Sequence, residues 1–144
     1  MTDVHMVTGA FGYSGRHIAT RLLDAGGEVR TLTGHLHRRD PFDGRVRVER
    51  LAFDDPTELR RALDGVTVLY NPYWVRCDHG QNTHASAVRN TRALIDAAVD
   101  ASVERFVHVS ITQPSLASSL PYFRGKAELE AALSSSGLSH AILR

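Results

Sequence analysis

Thr8-Gly9-Ala10-Phe11-Gly12-Tyr13-Ser14-Gly15 decides the fold of this 144-residue chain. Its glycines recur at i, i+3 and i+6. They stand between an apolar run, Val4 to Thr8, and a stretch in which Ile18, Leu22 and Leu23 share one helical face. Each glycine answers a mechanical need. Gly9 permits a tight turn, Gly12 lets backbone N–H groups approach a pyrophosphate, and Gly15 lets a helix pack close to a strand. A phosphate set there meets the unsatisfied donors and the positive dipole end of the helix. Glycines at this spacing also fit a flexible loop; the strand before and the helix after them favour a bound dinucleotide. Phe11 and Tyr13, within the turn, are further candidate contacts.

Outward from the turn, short apolar runs alternate with helical periodicity. Ala25-Gly26-Gly27 ends the first helix, and Val29 to Thr33 reads as a second strand. Gly34 to Gly44 is polar loop or frayed helix, and Val46 to Phe53 a third strand. Asp55-Pro56-Thr57 starts a helix with Leu59 and Leu63 inside and Gly65 as its stop. Val66 to Tyr70 is a fourth strand ended by Asn71-Pro72. The longest helix runs from about Gln81 to Ala101, with Ala87, Leu94, Ile95 and Ala98 on its apolar side. Arg105 to Ile111 is a buried strand, Tyr122 to Ser135 a helix, and Leu138 to Leu143 a sixth strand. Right-handed crossovers then predict one α/β domain of Rossmann type. It has a parallel sheet in the order 3-2-1-4-5-6 and helices on both faces.

The choice of dinucleotide turns on the end of the second strand. A carboxylate there would bind a ribose 2′-hydroxyl and indicate NAD. The strand ends Leu32-Thr33-Gly34 instead, with Arg38 and Arg39 close behind and Arg16 and His35 as further candidates for a 2′-phosphate. An exposed arginine pair in a solvated loop is the plain alternative. The reading favours NADP over NAD, with Thr33 and Arg38 at the adenosine end.

Pro121-Tyr122-Phe123-Arg124-Gly125-Lys126 opens the helix after the fifth strand. Tyr122 and Lys126, four apart, share one helix face. A nearby ammonium favours the phenolate of Tyr122, the form that takes a proton from an alcohol. Such a pair is also common on exposed helices, and only together with the glycine turn does it point to chemistry.

Through TGAFGYSG, VHVSITQPS, YFRGK and GLSHAILR, the whole chain resembles the short-chain dehydrogenase/reductase superfamily. The likeness is to its extended and atypical branch of NAD-dependent epimerase/dehydratases and NmrA-like proteins. The resemblance implies Tyr122 as general acid/base, Lys126 holding the nicotinamide ribose, and a hydroxyl polarising the substrate carbonyl. Ser110 and Thr112 are both candidates for that hydroxyl. The chain departs from the pattern twice. Relatives place an aspartate after the third strand against adenine, where this chain has Ala52, with Asp54 as a substitute. Where relatives have small residues against the cofactor, this chain reads Tyr70-Asn71-Pro72-Tyr73-Trp74. Asn71 is a candidate contact, and the rings either line a nicotinamide or substrate pocket or serve as core aromatics.

The resemblance implies a substrate-binding portion past the sixth strand, and with Arg144 as the last residue the expectation is a fragment, a truncated product or a cropped domain without it. The expected consequences are an open cleft, doubtful turnover by this chain alone, and exposed apolar surface that favours self-association into a homo-oligomer. Charge points to neither nucleic acid nor membrane, the formal net value being +1. Cys77 is the only cysteine, so no internal disulfide forms, which fits a cytoplasmic setting. Pairs such as His35 with His37 and His79 with His84 lack companion ligands, and no metal site is expected. Two functions compete: an oxidoreductase or epimerase/dehydratase acting on a small carbonyl, alcohol or sugar-nucleotide substrate, and a non-catalytic dinucleotide sensor or assembly protein. The Tyr122 and Lys126 pair favours the first, and the shortened chain the second.

Overall fold

Neighbouring strand residues divide between two cores, as period-two alternation demands. In a computed structural model, which describes residues 2–144, Met6, Leu32, Leu69 and Phe106 face one side of the sheet. Val7, Val29, Val46 and Tyr70 face the other. The elements are β1 (Val4–Thr8), α1 (Tyr13–Asp24), β2 (Glu28–Thr33), β3 (Val46–Arg50), α2 (Pro56–Ala62), β4 (Val68–Asn71), α3 (His84–Asp100), β5 (Arg105–Val109), α4 (Pro121–Ser135) and β6 (Ser139–Leu143). All pairings are parallel and the order is β3-β2-β1-β4-β5-β6, the expected Rossmann arrangement.

The first face carries α2, α3 and α4. Leu59, Leu63, Leu94, Ile95, Ala98 and Leu133 pack there on Met6, Leu69 and Phe106. The other face carries α1, whose Ala19 meets Val7 and Val29. Beside it the connection from β2 to β3 is a loop. Asp40 accepts hydrogen bonds from the Phe42 and Gly44 amides at 2.7 and 2.8 Å, which seats the buried Phe42 ring against Phe11. Over β4 to β6 this face carries no helix among the described residues. Tyr70, Val107, Val109 and Leu143, with Ile18 and Leu22 of α1, line an apolar groove of about 380 Å³.

Several elements stop short of their sequence-based bounds, for reasons of pairing. The third strand reaches Arg50 rather than Phe53 because β2, its sole partner, ends at Thr33, and the Leu51 amide makes the last bond to the Thr33 carbonyl. The fifth strand ends at Val109, with the Ser110 amide on the Leu143 carbonyl at 2.7 Å. The fourth strand begins at Val68 because the Val66 amide is still held by the turn from Leu63. The long helix begins at His84 instead of Gln81. His79 and Asn82 bond each other in a tight reverse turn, and Thr83 and Ser86 form a reciprocal capping box.

Candidate functional site

At the end of β1 the chain reverses at Gly9, whose φ of 66° lies in the left-handed region that favours glycine. The turn is fastened from below. The Gly9 amide donates to the Leu32 carbonyl at 2.9 Å, and the Ala10 amide to Thr31 Oγ1 at 3.0 Å. Gly15 lies against the Gly9 carbonyl so closely that a Cβ there would stand 2.6 Å from the Gly9 carbonyl carbon. Gly12 is the N-cap of α1, and no side chain caps it, unlike α2 with Asp55 and α3 with Thr83. The amides of Tyr13, Ser14 and Gly15 therefore begin a helix with no intrahelical acceptor, which makes an anion seat. Phe11 turns inward, 7% exposed, so only its backbone is available to a ligand.

This helix end opens on a cleft of about 400 Å³ at the carboxyl ends of β1, β2 and β4, where an open α/β sheet reverses its order. Thr8, Gly9, Gly12, Tyr13, Ser14 and Gly15 form its floor. On the β2 side stand Thr33, Gly34, His35 and Arg38, with the Arg38 Nη1 3.6 Å from where a Gly12 Cβ would be. Leu51 and Phe53 of the segment after β3, Pro72, Tyr73, Trp74 and Arg76 after β4, and Asn82 and Asn90 close the rest. A phosphate-bearing ligand fits this set: uncapped amides, a guanidinium and apolar walls. Asp54 is exposed and outside the lining, as are Arg16 and Arg39. Asn71 is also outside it, fully buried; Thr8 Oγ1 donates to Asn71 Oδ1 at 2.9 Å, and Asn71 Nδ2 reaches His108 Nδ1 at 3.4 Å.

Tyr122 and Lys126 lie in the first turns of α4, as their spacing predicts. Their side chains share one neighbour, the Trp74 ring, and otherwise diverge. Lys126, 2% exposed, donates from Nζ to the Val109 carbonyl at 2.9 Å and lies 4.3 Å from the centre of the Trp74 ring. Burial pushes the ammonium down to about 8, against an opposing pull from Glu130. Tyr122 meets Trp74 and His84 edge to face and lines a second cavity, of about 480 Å³, with Arg76, Ile111, Thr112 and Phe123. Thr112 thus shares a space with Tyr122, whereas Ser110 is buried beneath, beside Glu130.

A polar cluster below this pair joins α4 to β5 and β6. Glu130, one turn beyond Lys126, receives Arg144 through two hydrogen bonds, of 3.1 and 2.8 Å. Burial is the largest single influence on the Glu130 carboxyl and raises it, but the hydrogen bonds and charge of Arg144, joined by Ser110 and His108, together hold it below the ordinary value. His108 is 1% exposed and its Nε2 has no hydrogen-bond partner among the described residues. Burial first, and the Lys126 charge second, push His108 down to about 4.

Residues 9–144 match the family described as NAD(P)H-binding. The chain belongs to that family. Over 96% of its length it is 31% identical to the photosystem II assembly factor Ycf39 of Cyanophora paradoxa, of which it spans 44%. It superposes with a TM-score of 0.79 on the triphenylmethane reductase of Citrobacter complexed with NADP(H), at 19% identity, covering 98% of this chain and 48% of that one. A short-chain dehydrogenase/reductase superfamily protein of Agrobacterium tumefaciens with bound NAD gives 0.74 at 24% identity, covering 98% and 48%. This NAD(P)H-binding chain therefore has the short-chain dehydrogenase/reductase fold and spans about half the length of these relatives.

Sequence reasoning missed His108 and Glu130 as parts of this site; of the rings it offered as either pocket lining or core aromatics, Tyr73 and Trp74 line the cleft. Glu130 had a faint signal, the i, i+4 spacing from Lys126. His108 alternates with Phe106 on a buried strand, which marks it as inward but not as unpaired. A consequence of that burial is measurable. The folded protein keeps His108 neutral down to about pH 4, while the unfolded chain binds its proton from about 6.5. Stability therefore falls by up to about 3 kcal/mol as pH drops from 6.5 to 4. His108→Gln, which does not titrate, flattens chemical denaturation midpoints across that range, most visibly above the region where Glu130 protonates.

Proposed function

We propose that this domain holds NADP or NAD with its pyrophosphate on the amides of Tyr13, Ser14 and Gly15, as part of an oxidoreductase or epimerase/dehydratase. The observation that carries the reading is the uncapped N-terminus of α1 opening into the cleft. The adenosine end extends toward Thr33 and Arg38, and the guanidinium there supports NADP over NAD because it pairs with the extra phosphate. The opposite end extends toward Trp74 and the start of α4.

When bound, the nicotinamide supplies or accepts a hydride. The chain's own residues supply the proton and the positioning. In this reading Tyr122 exchanges a proton with the carbonyl or alcohol oxygen of a small substrate in the cavity it lines with Thr112, and the Thr112 hydroxyl orients that oxygen. Lys126 holds a ribose hydroxyl, its ammonium steadied by the Val109 carbonyl. Glu130 and Arg144 keep α4 in register with β6, so that Lys126 stays at the end of β5.

A second reading has its own support. Identity along almost the whole chain to a protein named as an assembly factor favours a dinucleotide-responsive assembly or regulatory role. Both readings require the same cofactor.

Calorimetric titration tests it. NADPH and NADH both bind with measurable heat, NADPH more tightly, and Arg38→Ala weakens NADPH by about tenfold while leaving NADH nearly unchanged. Absence of heat with either dinucleotide contradicts the proposal. Affinity also depends on Lys126: because its ammonium loses its proton at about 8, binding weakens as pH rises through that value, and Lys126→Met removes the dependence.

A further inference from the structure

Trp74, the only tryptophan in the chain, stands where the cofactor cleft meets the cavity of Tyr122. It lines the cleft. Its ring stacks on His84 with 5.9 Å between centroids and meets Tyr122 edge to face at 5.5 Å. His84 and Tyr122 in turn touch at 5.4 Å, and both line the second cavity. The three rings form a wall between the two spaces, and the same indole covers the Lys126 ammonium.

The seat of the indole is made for it. Gly125 lies inside α4, where glycine is unfavourable. A Cβ at that position would stand 3.1 Å from Trp74 Cη2 and 3.0 Å from Val88 Cγ2, so the missing side chain is what lets the ring lie down on the helix. Yet the seated ring is incompletely satisfied. Its Nε1–H is buried with no acceptor among the described residues, although a buried indole N–H ordinarily finds one. Its hold on Lys126 is a cation–π contact, which a ligand hydroxyl can replace by a charge-assisted hydrogen bond. The ring is carried by irregular chain between β4 and α3, free of the ladder that ends at Asn71.

The strand order sets the geometry. With β2 and β4 on either side of β1, a dinucleotide whose pyrophosphate rests on α1 sends one end toward Arg38 and the other toward the segment after β4. Trp74 lies in the path of that second end.

We propose that Trp74 is a displaceable partition. A dinucleotide entering the cleft lifts the indole off Lys126, takes its place on the ammonium, and joins the cleft to the cavity of Tyr122. The proposal rests on the dinucleotide reading above, and it makes the Tyr122 and Lys126 pair available only when the cofactor's nicotinamide half is present.

Because Trp74 is the sole tryptophan, its emission reports this one residue. Oxidised NADP, oxidised NAD and ADP are titrated in parallel, with heat measured on the same samples. Either dinucleotide shifts the emission to longer wavelength and increases its quenching by acrylamide, whereas ADP, which reaches only the adenosine half, binds without changing it. Heat from a dinucleotide with unchanged emission overturns the partition while leaving the dinucleotide reading intact. An equal change with ADP also overturns it, and no heat from any dinucleotide removes both. Trp74→Ala supplies a second test, since binding then displaces nothing from Lys126. Affinity for NADP tightens by about three- to tenfold, and unchanged or weaker affinity contradicts the proposal.

Discussion

The contact between the backbone of Gly15 and the carbonyl of Gly9 sets the geometry on which the rest of the site depends. Any side chain at position 15 would drive α1 away from the end of β1. With glycine there, the helix starts directly over the turn, and its first amides, left without a capping side chain, face the cleft. β1 is the strand from which the chain winds left to β2 and later right to β4. The helix end therefore sits at the point where the sheet's order reverses, flanked by the ends of both neighbours. One backbone-to-backbone approach thus couples the packing of α1 to the placing of an anion seat.

Polar residues tie the surrounding strand ends to that seat. Thr8 on β1, Asn71 on β4 and His108 on β5 are joined in sequence by hydrogen bonds beneath the cleft. Next to them, Lys126 is fastened to the Val109 carbonyl, and Glu130 to Arg144. Each such group is expensive to bury unless partnered. Lys126 and His108 both show the strain of burial as downward displacement of their proton affinity, and they face one another across the end of β5. The Lys126 ammonium stays beneath the indole, fastened to the Val109 carbonyl.

Much of this was legible in local sequence. The turn after β1, the alternation of strands and helices and the shared face of Tyr122 and Lys126 are read from spacings of a few residues, and the fold follows from them with the handedness of crossovers. What escaped depends on partners distant in the chain. The third strand's true end is set by where β2 stops, which no reading of residues 46–53 reveals. Asn71 looked like a ligand contact from its place at a strand end, but its hydrogen bonds run sideways to β1 and β5. Phe11 looked like part of the binding turn, yet its ring is claimed by Phe42 from a loop whose conformation Asp40 imposes. Lys126 was expected to serve Tyr122; its closest aromatic company is Trp74, which arrives on irregular chain with no periodicity to place it.

In the proposed function the first amides of α1 receive the pyrophosphate of a dinucleotide. Backbone amide NMR during titration with NADP or NAD tests it residue by residue. The largest shifts are expected on Tyr13, Ser14 and Gly15, with smaller ones at Thr33 and Arg38. Binding that leaves those three amides unmoved, with the largest shifts elsewhere on the sheet, would contradict it.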